Sequence, residues 1–209
     1  MLDEVLTGVW RDVARHPEWT EDEGGEDGWE PDVAWYAVAT NDGLVLVDPL
    51  VADWDALDGL VSTHGGCAGI IRTCHWHQRD TAEAGSRYGA SVWARPASAS
   101  DIDKPFDHEL SDGQEIFGLS IIDIERIDEI GLWLAARRAL IFGDAMLRCK
   151  RGTLQMCPPS WTQPSDGRER LREILTGLTV LPVEHVLVSH GPLVLGDGLP
   201  SLQAAVAVQ

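Results

Sequence analysis

GIIRTCHWHQRD, residues 69–80, is the stretch whose reading decides the fold. Its first half is an apolar, β-branched run of the length of a buried strand. The run leads without a break into three metal-capable side chains, His75, His77 and Asp80. In an extended segment, residues two apart share a face, so His75 and His77 can address one ion from a strand end. Asp80 opens the helical run Thr81–Tyr88, which Gly89 closes, and can turn back toward them. Two neutral imidazoles and a carboxylate suit zinc, iron or manganese. Two histidines this close also occur on ordinary surfaces, so the cluster by itself leaves both readings open.

Two more buried runs end in the same manner. RALIFGD (138–144) ends in Asp144, and VEHVLVSHG (183–191) delivers His190. Three strands thus each bring a metal-capable side chain to their C-terminal end. A shared site accounts for all three. The alternative is three separate turn residues, with Asp144 as a cap and His190 as a polar strand end.

Working outward, VAWYAVAT (33–40) and LVLVDPL (44–50) flank Asn41-Asp42-Gly43 and predict a hairpin. WDALDGLVSTHG (54–65) has helical spacing in Trp54, Leu57 and Leu60/Val61. SVWARP (91–96), GLSIIDIERI (118–127) and IGLWLAA (130–136) predict strands, and RERLREILTGL (168–178) and LPSLQAAVAV (199–208) predict helices. The strands fall into two blocks, each with its own helices. That pattern predicts an α/β (α+β) domain over residues 1–209, built as a four-layer αββα sandwich rather than one doubly wound sheet. Glu18–Asp32 is acidic and Gly-rich with scattered Trp. It reads as a solvated loop, or as a flap bringing Trp19 or Trp29 to a ligand.

Composition narrows the partners. Of 209 residues, 34 are Asp or Glu and 16 Lys or Arg, a formal charge of −18. A surface this acidic repels phosphate backbones and anionic membranes, so neither is an expected partner, and a small molecule is. The only lysines are Lys104 and Lys150. No apolar run reaches membrane-spanning length. The N-terminus MLDEVLTGVWRDV is acidic where a signal peptide is basic, so the expected location is the cytoplasm. Cys67, Cys74, Cys149 and Cys157 form no CxxC pair and are expected as free thiols. Cys74, next to His75, reads as a packed small hydrophobe rather than a functional thiol.

The order GLVLVDPL, HxHxxD, FGDA and SHG resembles the metallo-β-lactamase superfamily over roughly residues 5–205. The resemblance implies the αββα fold and one or two metals that activate water for hydrolysis. It implies His75 and His77 as the first two ligands, Asp144 as the bridging carboxylate, His190 as the last histidine and Asp48 as the residue that supports the site from behind. The departures are Arg79 where the family motif has Asp, and Asp80 where it has a third His. The family's lone middle His is missing, because no histidine occurs between His108 and His185. Glu125 stands nearest its place, with Asp128 next.

The expected ligands are therefore His75, His77, Asp80, Asp144 and His190, with Glu125 as an added oxygen donor. Asp80 or Asp144 is the expected base. Arg79 is expected to pair with Asp80 or Asp144, since a buried unpaired guanidinium is costly, or to meet the substrate. The cofactor implied is one divalent transition metal, zinc first, with iron or manganese as alternatives. The function implied is hydrolysis of small esters, thioesters or lactones. The alternative is a non-catalytic binding or scaffold protein that has lost its metal.

Overall fold

Val33 to Val38 are buried without exception, which a strand achieves only when both of its faces are covered. Period two sorts them. Ala34, Tyr36 and Val38 face one core, while Val33, Trp35 and Ala37 face another. The same alternation separates Val45 and Val47 from Leu44 and Leu46, and Leu140 and Phe142 from Ala139 and Ile141.

The computed structural model describes residues 2–24, 29–96, 105–148, 152–162 and 166–208. Lys104, Cys149 and Lys150 lie outside them, as do residues 25–28 of the acidic loop. One sheet holds seven strands in chain order: β1 (Asp3–Leu6), β2 (Val9–Arg15), β3 (Asp32–Thr40), β4 (Gly43–Val47), β5 (Cys67–Arg72), β6 (Val92–Ala94) and β7 (His108–Glu109). The first four are antiparallel, and β4 to β7 run parallel. The second sheet is built from β8 (Glu115–Ile116), β9 (Leu119–Ile124), β10 (Glu129–Leu134) and β11 (Ala139–Phe142). After a small ribbon of β12 (Met146–Leu147) and β13 (Gln155–Met156), it is completed by β14 (His185–Val188) and β15 (Val194–Leu195), in the order β15-β14-β11-β10-β9-β8.

Helices α1 (Trp54–Thr63) and α2 (Thr81–Tyr88) cover the outside of the first sheet through Leu57, Val61 and Ala84. Helices α3 (Gly167–Gly177) and α4 (Gly198–Ala207) cover the second through Leu171, Leu175 and Leu202. The layers are αββα, as the two strand blocks predict. Local chemistry sets the boundaries. The Asp53 carboxylate accepts from Ala56 N at 3.0 Å and caps α1, and Gly89, at φ 62°, ends α2. The N-terminal hairpin β1–β2 was not foreseen. No helix among the described residues is long and apolar enough to cross a membrane.

The connectivity places the chemistry at one edge. Strands β4 and β5 run parallel, as do β11 and β14, so the segments after them emerge together. At this edge the two sheets are joined by single bridges, Val33 to His190 and Cys74 to Glu129, and by the Tyr36 hydroxyl donating to Val188 O at 2.6 Å. Gly191 completes the turn after His190 at φ 93°, and a Cβ there would run into the Arg148 carbonyl. Gly191→Ala is therefore expected to cost about 2 kcal/mol and to lower the melting temperature measurably in a thermal scan.

Candidate metal centre

Asp48, Cys74, His77, Asp144 and His190 meet where β4, β5, β11 and β14 end. Asp48 sits in left-handed backbone just past β4, at φ 51°. Its carboxylate accepts from Thr73 N at 2.7 Å, from the Thr73 hydroxyl at 2.5 Å and from His77 Nδ1 at 2.8 Å. This fixes the His77 ring and leaves Nε2 to face Asp144 Oδ1 at 3.2 Å. His190 Nε2 lies 3.0 Å from the same oxygen, and Cys74 Sγ lies 3.9 Å from Asp144 Oδ2. Donor atoms of Cys74, His77 and Asp144 all fall within 4.8 Å of one another.

The electrostatics are those of a closed ionic cluster. Burial and the Arg79 guanidinium oppose charging His77, but Cys74, Asp144 and Asp48 outweigh them and hold its pKa well above the usual histidine value. Burial raises Asp144, but His77 and the hydrogen bond from His190 pull it well below the usual carboxylate range. Burial pushes the Cys74 thiol up to about 12, and it lowers His190 despite Asp144.

Glu129 holds the far side. It is fully buried at the start of β10, and its two oxygens accept from Gly143 N at 2.8 Å, Asp144 N at 2.6 Å and Ala145 N at 2.8 Å. Burial and the nearby Asp144 lift its pKa to about 8 against the pull of these N–H groups. Gly143 lets the turn come close. A Cβ there would sit 2.5 Å from the Thr73 hydroxyl and 3.2 Å from the His77 ring.

Several expected residues stand elsewhere. Residues 75–80 form turns, not extended strand, so the two-residue period fails. His77 N bonds Cys74 O at 3.2 Å, and this turn points Cys74 and His77, three apart, at the cluster. Cys74 thus stands where His75 was expected. His75 is buried beside Trp76 and does not line the cleft. Asp80 faces the other way, accepting from Val51 N at 2.6 Å. Arg79 pairs with neither Asp80 nor Asp144. Its Nη1 donates to Ala34 O and Asp48 O, both at 3.0 Å, and its Nη2 to the Ser189 hydroxyl at 2.9 Å. Two backbone carbonyls and a hydroxyl take up its Nη donors in place of a carboxylate, and its Nε is buried without a partner. Glu125 lies 3.5 Å from Arg170 near the surface, and Asp128 is buried against Arg95 at 2.6 Å. Ile127, from the same turn, faces the cleft instead. Asp80→Ala is accordingly expected to leave metal content unchanged while costing about 2 kcal/mol for the lost charged hydrogen bond. Parallel elemental analysis and thermal denaturation check both halves.

The cleft above the cluster has a volume of about 500 Å³ and includes Glu18, Trp29, Trp76, Arg79 and Trp161. Of the two tryptophans in the acidic loop, Trp29 reaches it, while Trp19 donates from Nε1 to Trp29 O at 3.0 Å.

A family model described as the metallo-beta-lactamase superfamily matches residues 29–208. The chain belongs to the metallo-β-lactamase superfamily. No curated protein matches the chain by sequence. Solved structures match across its length. The DIM-1 metallo-β-lactamase superposes with a TM-score of 0.73 at 12% identity, covering 99% of this chain and 96% of its own. The mono-zinc form of FIM-1 from Pseudomonas aeruginosa gives 0.70 at 14%, covering 99% and 93%. The di-iron form of TTHA1623 gives 0.62 at 21%, covering 83% and 93%. These likenesses establish the fold.

Proposed function

We propose that this chain is a metal-dependent hydrolase of small esters, thioesters or lactones, working with one divalent transition metal. The observation that carries the reading is the convergence of donor atoms of Cys74, His77 and Asp144, with Asp48 fixing the His77 ring from behind and His190 hydrogen-bonded to Asp144. A carboxylate behind a histidine whose other nitrogen faces open donors is the usual support of a metal ligand. One sulfur, one imidazole nitrogen and a carboxylate oxygen, which leave a fourth position open for water, match the donor chemistry of zinc, with iron or manganese as alternatives. That FIM-1 is described in a mono-zinc form and TTHA1623 in a di-iron form supports a metal in this fold. The residues fit one ion. Ile127 and Arg79 offer no donor for a second, and a guanidinium opposes a further cation.

Bound there, the metal would supply Lewis acidity toward a carbonyl and lower the pKa of water. The chain supplies the rest. Asp144 stays ionised and would orient the attacking water. His190 orients that carboxylate through its 3.0 Å hydrogen bond. Arg79 holds Ser189, whose hydroxyl donates to Ala34 O at 3.1 Å, and so fixes the backbone beside His190. Asp80 takes no part.

A non-catalytic binding module is the second reading. It is favoured by the way His77, Asp144 and His190 close on one another as an ionic cluster that needs no metal. Elemental analysis of protein purified without chelator, beside assays with aryl esters, thioesters and lactones, separates the two. Near-stoichiometric metal with hydrolysis that a chelator abolishes supports the hydrolase. No metal under any loading condition and no hydrolysis supports the binding module.

A further inference from the structure

Three tryptophans line the cleft over the cluster: Trp29, Trp76 and Trp161. Two of them are organised by one ring. Trp29 and Trp161 each meet His190 edge-on, with centroids 5.4 and 6.0 Å away and planes at 74° and 69°. Indoles nearly perpendicular to the same imidazole form walls standing on it. Trp76 is 52% exposed, unusual for so large an apolar side chain, and stands beside the cluster residue His77. The remaining wall includes the apolar Val33 and Ile127. A volume of about 500 Å³ falls within the range of small-molecule sites.

The charges in the cleft argue for what it rejects. Among the described residues, Arg79 is the one Lys or Arg in its lining, and both its Nη atoms already donate to Ala34 O, Asp48 O and the Ser189 hydroxyl. Glu18 and Asp144 add carboxylates, on a chain whose formal charge is −18. An anionic ligand meets the long-range repulsion of the −18 chain, and in the lining it finds both Nη atoms of Arg79 already engaged. A cationic one meets the fixed charge of Arg79. A flat neutral ring meets indole faces, whose stacking needs no counter-charge.

We propose that this tryptophan-walled cleft binds a flat, uncharged aromatic group, and so selects aryl esters or thioesters over carboxylate-bearing substrates. The choice of reacting bond rests on the hydrolase reading, whereas the binding does not. Calorimetric titration of metal-free protein at pH 7 with 2-naphthol and 2-naphthoate, which share the naphthalene ring and differ in the charge of the substituent, tests it. The expected result is one site for 2-naphthol and an affinity for 2-naphthoate at least about ten-fold weaker. Trp161→Ala should weaken 2-naphthol by about five-fold, and Trp76→Ala, at an exposed position that tolerates truncation, by a similar factor. Equal affinity for the two ligands, or 2-naphthol binding that neither variant changes, would overturn the proposal. If 2-naphthol binds as expected and 2-naphthyl acetate is not hydrolysed by the metal-loaded protein, the binding proposal stands and the hydrolase reading falls.

Discussion

His77→Ala is expected to lose stable metal binding, with affinity falling by at least about 100-fold, while the fold survives. His77 is the donor that the structure prepares most fully. Asp48 holds its Nδ1 at 2.8 Å, and Nε2 is left facing Asp144. Asp48→Asn should show the same effect at reduced size, about 10–100-fold, because it disturbs the tautomer and leaves the donor in place. Competition against a chelating dye measures both, with circular dichroism to show that the variants are folded. Wild-type affinity in His77→Ala would remove this residue from the ligand set.

Glu129→Ala is expected to produce the largest loss of stability of any single change at the site. The substitution leaves the N–H groups of Gly143, Asp144 and Ala145 buried without an acceptor. At roughly 1–3 kcal/mol for each, the cost is about 3 kcal/mol or more. For a chain of this length that lowers the melting temperature by on the order of 10 °C. Glu129→Gln should fall between, because an amide keeps one oxygen acceptor and turns an NH2 toward an N–H group. Thermal denaturation of the two variants beside the wild type checks the order. A Glu129→Ala protein as stable as the wild type would show that the turn carrying Asp144 does not depend on this carboxylate.

The strand ends were readable because buried runs announce themselves. Apolar segments ending in Asp144 and His190 place those residues at a sheet edge whatever the details of packing. The layer order followed from two blocks of strands with separate helices. Cys74 was harder, since a cysteine beside a histidine reads equally as a small apolar residue and as a donor. The choice was made by a turn, not by periodicity. Residues 75–80 leave the strand, and spacing three replaces spacing two, so His75 gives way to Cys74. Asp80 was misplaced for a related reason: the backbone N–H of Val51, a long-range partner, competes for its carboxylate.

Glu129 left one mark in the sequence. It is an acid at the head of the apolar run EIGLWL, and a charge in a fully buried strand needs a partner. Nothing local says that the partner is the turn fourteen to sixteen residues on. Ile127 in place of Glu125 depended on which way a single short turn faces, and the spacing left that open.

The central claim is a single metal held by one thiolate, one imidazole and one carboxylate, with a fourth position open to water. Cobalt(II) titration of metal-free protein tests it most directly, because cobalt reports both stoichiometry and sulfur ligation in one spectrum. The account predicts saturation at one equivalent per chain, with a thiolate-to-cobalt charge-transfer band that Cys74→Ser removes. Saturation at two equivalents, or a wild-type spectrum without the thiolate band, would contradict it.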